Sequence, residues 1–119
     1  MSYKIIFTDL DDTLLNSEKK ISQIDKEAIM KAQEAGIKFV LASGRPTFAM
    51  YDLAKELELE KYGSFILSFN GSIITNCKSG EHIFEESLTK EDLHLMYDFA
   101  KENSCHILTY VDDEIISET

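Results

Sequence analysis

The chain has 119 residues, 44% of them hydrophobic, and its formal net charge is −10 at pH 7. This length predicts a single domain or slightly more, with enough apolar residues for a buried core. Nucleic acids and anionic membranes bind basic surfaces, so the acidic balance argues against both kinds of partner. The sequence shows no signal-peptide pattern and no apolar stretch long enough to span a bilayer.

The two cysteines, Cys77 and Cys105, form neither a metal-type pair nor a disulfide framework. Free thiols are typical of a reducing compartment. The cysteine content therefore predicts a cytoplasmic protein.

The first predicted element is a strand at residues 4–8, and an acidic loop follows it directly. The apolar run Ile5-Ile6-Phe7 is typical of a strand buried on both faces, as in a parallel sheet. The loop Asp9-Leu10-Asp11-Asp12-Thr13 then lies at the carboxyl end of the strand, where open α/β sheets bind their ligands. Alternate side chains of an extended backbone share a face, so Asp9, Asp11 and Thr13 are expected to converge.

The elements that follow alternate between helices and strands. Ser22 is a predicted helix N-cap, Gly36 ends the same helix, and Pro46 suits the first position of the next helix. In chain order the sequence predicts a helix between residues 22 and 36, a strand at 39–42, a helix from 46 to about 59, a strand at 65–69 with an Asn70-Gly71 turn, and a hairpin of 73–74 with 83–84. This order predicts an α/β, Rossmann-like sheet of parallel strands with right-handed crossovers.

The pattern changes after residue 84. Thr89 is the predicted N-cap of another helix, and strands at 106–111 and 114–117 flank an Asp112-Asp113 turn. A helix followed by two strands is a different architecture, so we predict one domain at residues 1–84 and a second module at 85–119.

The acidic loop has the groups needed for phosphoryl transfer. A carboxylate fixed at a strand end can attack phosphorus, and a second carboxyl group two residues later can carry the proton. A divalent cation would neutralise the charge, and Mg²⁺ favours one or two carboxylates with water and phosphate oxygens.

The second strand end offers complementary groups for a phosphate. Ser43 has a hydroxyl, Gly44 lets the backbone approach closely, and Arg45 adds a positive charge. The helix predicted to begin at Pro46 would direct its positive end to the same place. Each motif alone also has a plainer interpretation: a solvated turn with capping acids, a strand-to-helix turn with an N-capping Ser43, and a tight turn at Asn70-Gly71.

Three ordered motifs resemble those of the haloacid dehalogenase superfamily, specifically its Cof-like phosphatases: Ile5 to Leu15 with the acidic loop, Phe39 to Arg45, and Ser68 to Gly71. The resemblance implies that Asp9 is the nucleophile and Asp11 the general acid and base. It implies that Asp9 and the Asp11 main-chain carbonyl bind Mg²⁺. The implied phosphate-binding residues are Leu10, Ser43, Gly44 and Arg45, with Thr13 and Asn70 near a small phosphorylated substrate.

The same resemblance implies that residues 1–84 are the N-terminal part of the core and 85–119 the first part of a cap. Family members carry a phosphate-binding Lys and a further acidic motif after the cap, and this sequence contains neither. We therefore expect a fragment with an incomplete site and an unpaired first-strand edge. Self-association or another polypeptide is expected to cover that edge.

Two other functions remain open from the sequence. A phosphohexomutase-type phosphotransferase would use the same nucleophile but retain the phosphoryl group for transfer. A non-catalytic binding or interaction module would need no complete site. A receiver domain is disfavoured, because it carries the phosphorylated Asp at the third strand end, where this chain has Phe69-Asn70.

Overall fold

The computed structural model describes residues 2–117, which form two compact units. The first unit ends at Glu86 and the second begins at Ser87. This division falls two residues after the boundary predicted from the sequence.

The first unit is built on a five-stranded sheet. Its strands, which lie in chain order across the sheet, are β1 (Ile5–Thr8), β2 (Lys38–Ala42), β3 (Phe65–Ser68), β4 (Ile73–Asn76) and β5 (His82–Glu85). The first three are parallel, and β4 and β5 continue the sheet as antiparallel strands. The predicted parallel α/β arrangement and the predicted hairpin are therefore confirmed.

The first helix, α1 (Gln23–Glu34), begins and ends where its local signals predict. The Ser22 hydroxyl accepts a hydrogen bond from the Asp25 amide at 3.2 Å, which satisfies one of the free donors of the first turn. Gly36 follows the last turn with φ +90°, a conformation that glycine adopts without steric cost.

The single helix predicted from Pro46 to about Leu59 is wrong. Pro46 is extended and precedes a short 3₁₀ turn at Thr47–Met50, after which come α2 (Tyr51–Glu56) and α3 (Leu59–Tyr62). Glu58 adopts a left-handed conformation between the last two helices, with φ 54°. The break lets Leu57 and Leu59, on either side of it, both enter the core, where neither is exposed to solvent.

The core of this unit lies around β2, whose Phe39, Val40 and Leu41 are all buried. A buried hydrogen-bonded chain crosses it, because Gln33 of α1 donates to the Leu57 carbonyl at 2.8 Å and accepts from the Ser64 hydroxyl at 2.9 Å. The same hydroxyl accepts from the Phe39 amide at 3.1 Å. These bonds give partners to polar groups whose burial without hydrogen bonds would destabilise the fold.

The first strand is not buried on both faces, contrary to the prediction. Ile5, Ile6 and Phe7 are 42%, 37% and 57% exposed. The reason is topological: β1 is the outermost strand of the sheet and pairs on one side only, with β2. The unpaired first-strand edge that the resemblance implies is thus present in residues 2–117.

The second unit contains α4 (Lys90–Glu102) and a hairpin of β6 (Leu108–Val111) with β7 (Glu114–Ser117). Thr89 and Asp92 cap α4 reciprocally, with each side chain accepting from the amide of the other at 3.1 Å. Asp112 turns the hairpin in a left-handed conformation, so the predicted turn is confirmed, although β6 begins two residues later than predicted. Within residues 2–117, no helix combines the length and apolarity that crossing a membrane requires.

Candidate active site

The acidic loop and the Ser43 loop follow neighbouring parallel strands. Thr8 of β1 pairs with Leu41 of β2, so both strands end at the same edge of the sheet. Because ligands of open α/β sheets bind beyond the carboxyl ends of the strands, this edge is the candidate active site.

The backbone after β1 is extended at Asp9 and Asp11, with φ −77° and −63°, but it turns at Asp12, so the extended alternation predicted from the sequence does not continue to Thr13. The chain then forms one wide turn, in which the Leu14 amide donates to the Asp9 carbonyl at 3.3 Å and the Leu15 amide to the Leu10 carbonyl at 3.0 Å. Asp12 completes the turn with φ 62°. The turn inserts Leu10 and Leu14 into the core and leaves Asp12 and Thr13, which lie between them, exposed.

The members of this turn differ in what they contact. Leu10 is fully buried, so only its main chain is available for the predicted phosphate contact. Within residues 2–117, the exposed side chains of Asp9 and Thr13 make no hydrogen bond or ion pair. Asp11, in contrast, is firmly held.

Two cations hold the Asp11 carboxylate. Arg45 binds it with two hydrogen bonds, from Nε to Oδ2 at 3.1 Å and from Nη2 to Oδ1 at 2.8 Å. Lys19 Nζ donates to the same Oδ1 at 3.2 Å. Hydrogen bonding to Arg45, followed by that to Lys19, lowers the pKa of Asp11 from its ordinary 3.8 to about 2. Asp11 is therefore ionised at neutral pH in this arrangement.

Arg45 belongs to the loop that follows β2, and residues in and just after β3 form hydrogen bonds with this loop. The Ser43 amide donates to the Leu67 carbonyl, the Asn70 amide to the Ser43 carbonyl, and the Phe69 amide to the Arg45 carbonyl, at 2.9–3.0 Å. The Ser43 hydroxyl also accepts from the Arg45 amide at 3.1 Å. Neighbouring strand ends thus fix Ser43 and Arg45 through their peptide groups.

Asn70 lies directly against Gly44. A Cβ atom at Gly44 would come within 3.0 Å of Asn70 Oδ1, a distance shorter than ordinary contact. Asn70 itself adopts a left-handed conformation, with φ 58°. Gly44 is therefore needed because a side chain at this position would collide with the Asn70 amide. From the sequence, the glycine was expected to make room for a phosphate.

The helix that was predicted to direct its positive end to this edge does not begin at Pro46. The Arg45 carbonyl is bound by the Phe69 amide, Pro46 is extended, and a short 3₁₀ turn follows before the six residues of α2. The positive charge near Ser43 comes mainly from the guanidinium group of Arg45.

The residues present fit a magnesium ion in part. Asp9 has a carboxylate free to bind it, whereas both oxygens of the Asp11 carboxylate are bound by cations. Among residues 2–117, no group of three or more His, Cys, Asp and Glu side chains lies close enough to hold a metal. An ion would thus be held by the Asp9 carboxylate and the Asp11 main-chain carbonyl, with water and phosphate as further ligands.

The sequence of residues 6–119 matches the haloacid dehalogenase-like hydrolases. The chain belongs to this family. The family assignment thus agrees with the three motifs that begin the chain and with the mainly parallel sheet that positions them.

Individual relatives of the family place the match in context. A 5-amino-6-(5-phospho-D-ribitylamino)uracil phosphatase of Bacillus subtilis is 33% identical over 102 residues, or 85% of this chain and 39% of the relative. A pyridoxal phosphate phosphatase of Escherichia coli is 25% identical over 118 residues, or 99% of this chain and 42% of the relative. A haloacid dehalogenase-like hydrolase from Bacteroides thetaiotaomicron of known crystal structure is 46% identical, with a TM-score of 0.90 over 99% of this chain and 44% of that one. The chain spans less than half the length of each.

Lys19 is the residue of this site that the sequence analysis missed. It lies in a tight turn between Leu15 and Ile21, which form an isolated antiparallel bridge. Leu15 and Ile21 flank the polar stretch from Asn16 to Lys20, and this pattern of two apolar residues around an Asn-led turn was the available signal.

Proposed function

We propose that this chain carries the nucleophile half of a magnesium-dependent phosphomonoester hydrolase that works through an aspartyl-phosphate on Asp9. The observation that carries the proposal is the contrast between two carboxylates of one turn. Within residues 2–117 the exposed Asp9 side chain has no hydrogen bond or ion pair, whereas Asp11 is bound by Arg45 beside Ser43. A free carboxylate suits a nucleophile, and the neighbouring cation and hydroxyl suit a phosphate.

In the proposed first step, a carboxylate oxygen of Asp9 attacks phosphorus and the ester bond to the leaving oxygen breaks. The Asp11 carboxylate, once it is no longer bound by Arg45 and Lys19, takes a proton from solvent and gives it to that oxygen. In the second step, Asp11 takes a proton from water, whose oxygen attacks phosphorus. The bond between Asp9 and phosphorus then breaks and inorganic phosphate leaves.

Other groups of the site would stabilise charge during both steps. The Ser43 hydroxyl, the Arg45 guanidinium and the Leu10 and Gly44 amides are proposed to bind the phosphoryl oxygens. Thr13 and Asn70 are proposed to lie beside the substrate. Bound Mg²⁺ would neutralise phosphoryl charge and orient the attack.

The proposed substrate is a small phosphorylated metabolite. Two of the relatives are named for substrates of this class, a phosphorylated ribitylaminouracil and pyridoxal phosphate. The unpaired thiols of Cys77 and Cys105 agree with the proposed action in the reducing cytoplasm. The residues 1–86 are proposed as part of the catalytic core and 87–119 as part of a cap.

The test is hydrolysis of p-nitrophenyl phosphate with and without Mg²⁺. Three proteins are compared: this chain, the chain extended with the remaining C-terminal sequence of the Bacteroides relative, and the extended protein with Asp9→Asn. We expect turnover by the extended protein and a loss of at least about a thousandfold in kcat on Asp9→Asn, as for other nucleophiles. Unchanged turnover after Asp9→Asn would remove the nucleophile assignment.

A further inference from the structure

The Asp11 carboxylate binds two cations from separate segments of the chain. Arg45 follows β2 and Lys19 lies in the turn after the acidic loop, yet both bind Asp11 Oδ1, at 2.8 and 3.2 Å. The chain has 22 acidic and only 12 basic residues. Two of these few basic residues thus converge on one carboxylate at the edge of the sheet where a phosphate is proposed to bind.

Lys19 is held in place by its own turn. The Asn16 side chain accepts hydrogen bonds from the Glu18 and Lys20 amides at 2.9 and 3.0 Å, and the Asn16 carbonyl accepts from the Lys19 amide at 2.9 Å. Lys19 is left-handed, with φ 61°. The turn therefore fixes the backbone from which the ammonium group reaches Asp11.

Arg45 is fixed in a similar way. Its amide donates to the Ser43 hydroxyl, and its carbonyl accepts from the Phe69 amide. A guanidinium group binds a carboxylate or a phosphate with the same planar pair of donors. The two cations are therefore positioned for an anion, and the anion that they bind in this structure is a side chain of the protein.

We propose that Asp11 substitutes for an anionic ligand, and that an incoming phosphoryl group displaces it from Arg45 and Lys19. The exchange couples substrate binding to the release of Asp11, which can then turn to the leaving oxygen. This inference rests on the proposed function for its catalytic meaning. The exchange itself requires only that phosphate and Asp11 compete for the same two cations.

Competition has a thermodynamic consequence that separates it from a simple structural ion pair. If Asp11 occupies the anion site, then weakening its hold must strengthen phosphate binding, and the gain must depend on Arg45. A loss of negative charge elsewhere in the loop gives only the general, screened electrostatic effect. Asp12 provides this comparison, because it is adjacent and exposed, and because Asn tolerates its left-handed backbone.

The experiment measures the dissociation constant of inorganic phosphate for the 119-residue chain, by NMR titration without added metal. We expect Asp11→Asn to lower this constant about fivefold or more, the smallest usual size of a coupling between sites. Asp12→Asn should change the dissociation constant less than about twofold, because solvent screens the charge that this substitution removes. The gain should disappear in Asp11→Asn/Arg45→Gln. Lys19→Gln should weaken phosphate binding by Asp11→Asn protein, with Lys20→Gln as the matched control.

Equal effects of Asp11→Asn and Asp12→Asn would overturn the proposal, as would a gain that persists without Arg45. Failure of folded Asp11→Asn protein to bind phosphate saturably would also overturn it, because the freed cations must then accept the anion. Dispersed amide resonances establish that each variant is folded. Phosphate is also titrated into the Asp9→Asn chain, and the turnover of the extended Asp9→Asn protein is measured alongside. If phosphate displaces Asp11 but the extended protein keeps its turnover with Asn at position 9, the proposed function fails and the anion exchange stands.

Discussion

At the scale of single residues, the candidate site depends on the different surroundings of Asp9 and Asp11. They are two positions apart, yet in the described part of the chain, residues 2–117, the Asp9 carboxylate has no partner and the Asp11 carboxylate is bound by Arg45 and Lys19. The sequence shows the two acids but not this difference, because the difference depends on cations 8 and 34 positions away from Asp11.

The ion pairs of Asp11 should make the stability of the fold depend on pH in a defined window. The pKa of Asp11 is lowered from 3.8 to about 2, so its ionised form favours the folded state. This contribution is complete above pH 4 and is lost as the pH falls towards 2. Urea unfolding of the native chain should therefore show a steeper loss of stability over this range than that of Asp11→Asn. Asp12→Asn is the control and should retain the native slope.

At the scale of secondary-structure elements, the loop after β2 is shaped by the turn after β3. Phe69 and Asn70 reach back to the Arg45 and Ser43 carbonyls, and all three residues of the Phe69–Gly71 turn have positive φ. Asn70 and Gly71 were recognisable as a turn from their residue types, whereas a left-handed Phe69 was not. A phenylalanine in this conformation carries strain, which the surrounding hydrogen bonds must offset.

The contact between this turn and Gly44 can be tested by a double-mutant cycle. Gly44→Ala places a Cβ atom about where the Asn70 amide lies, and we expect it to lower the free energy of unfolding by about 1 kcal/mol. In an Asn70→Gly background the obstacle is gone, so Gly44→Ala should cost markedly less. Urea denaturation of the four proteins measures the coupling. Strictly additive effects would show that the two residues do not meet.

The N-terminus of α1 offers a second test at this scale. Ser22 accepts a hydrogen bond from the Asp25 amide, and its replacement by Ala should cost about 1 kcal/mol of stability. Ser17→Ala, in the exposed turn before the helix, should leave the midpoint of denaturation nearly unchanged. Equal effects of the two substitutions would mean that the cap does not stabilise the helix.

At the scale of the whole molecule, local signals predicted the order of elements well. Ser22, Gly36 and Thr89 gave helix ends correctly, because capping depends on residues only a few positions apart. The environment of β1 was predicted wrongly, since its apolar residues match those of a central strand and only the pairing of distant strands decides its place. The break at Glu58 escaped prediction for a similar reason, because the burial of Leu57 and Leu59 depends on the rest of the core.

The exposed edge of β1 has a consequence for association. An unpaired strand with an exposed Phe7 and Ile5 is a template for another strand, and we propose that a second copy of the chain pairs with it. Sedimentation velocity should show a concentration-dependent dimer, and Phe7→Lys should shift it towards monomer. Tyr51→Lys, at an exposed aromatic residue of α2, is the matched control. A monomer at every concentration would rule out this pairing.

The proposed aspartyl-phosphate is tested most directly by chemical trapping in the extended protein. Protein quenched during turnover is treated with borohydride, which reduces an acyl phosphate to an alcohol and so converts the phosphorylated aspartate to homoserine. Peptide mass spectrometry then locates the modified residue. We expect homoserine at position 9, dependent on both substrate and Mg²⁺, and unmodified Asp11 and Asp12. Homoserine at another position, or rapid turnover with residue 9 never modified, would contradict the assignment of Asp9 as the nucleophile.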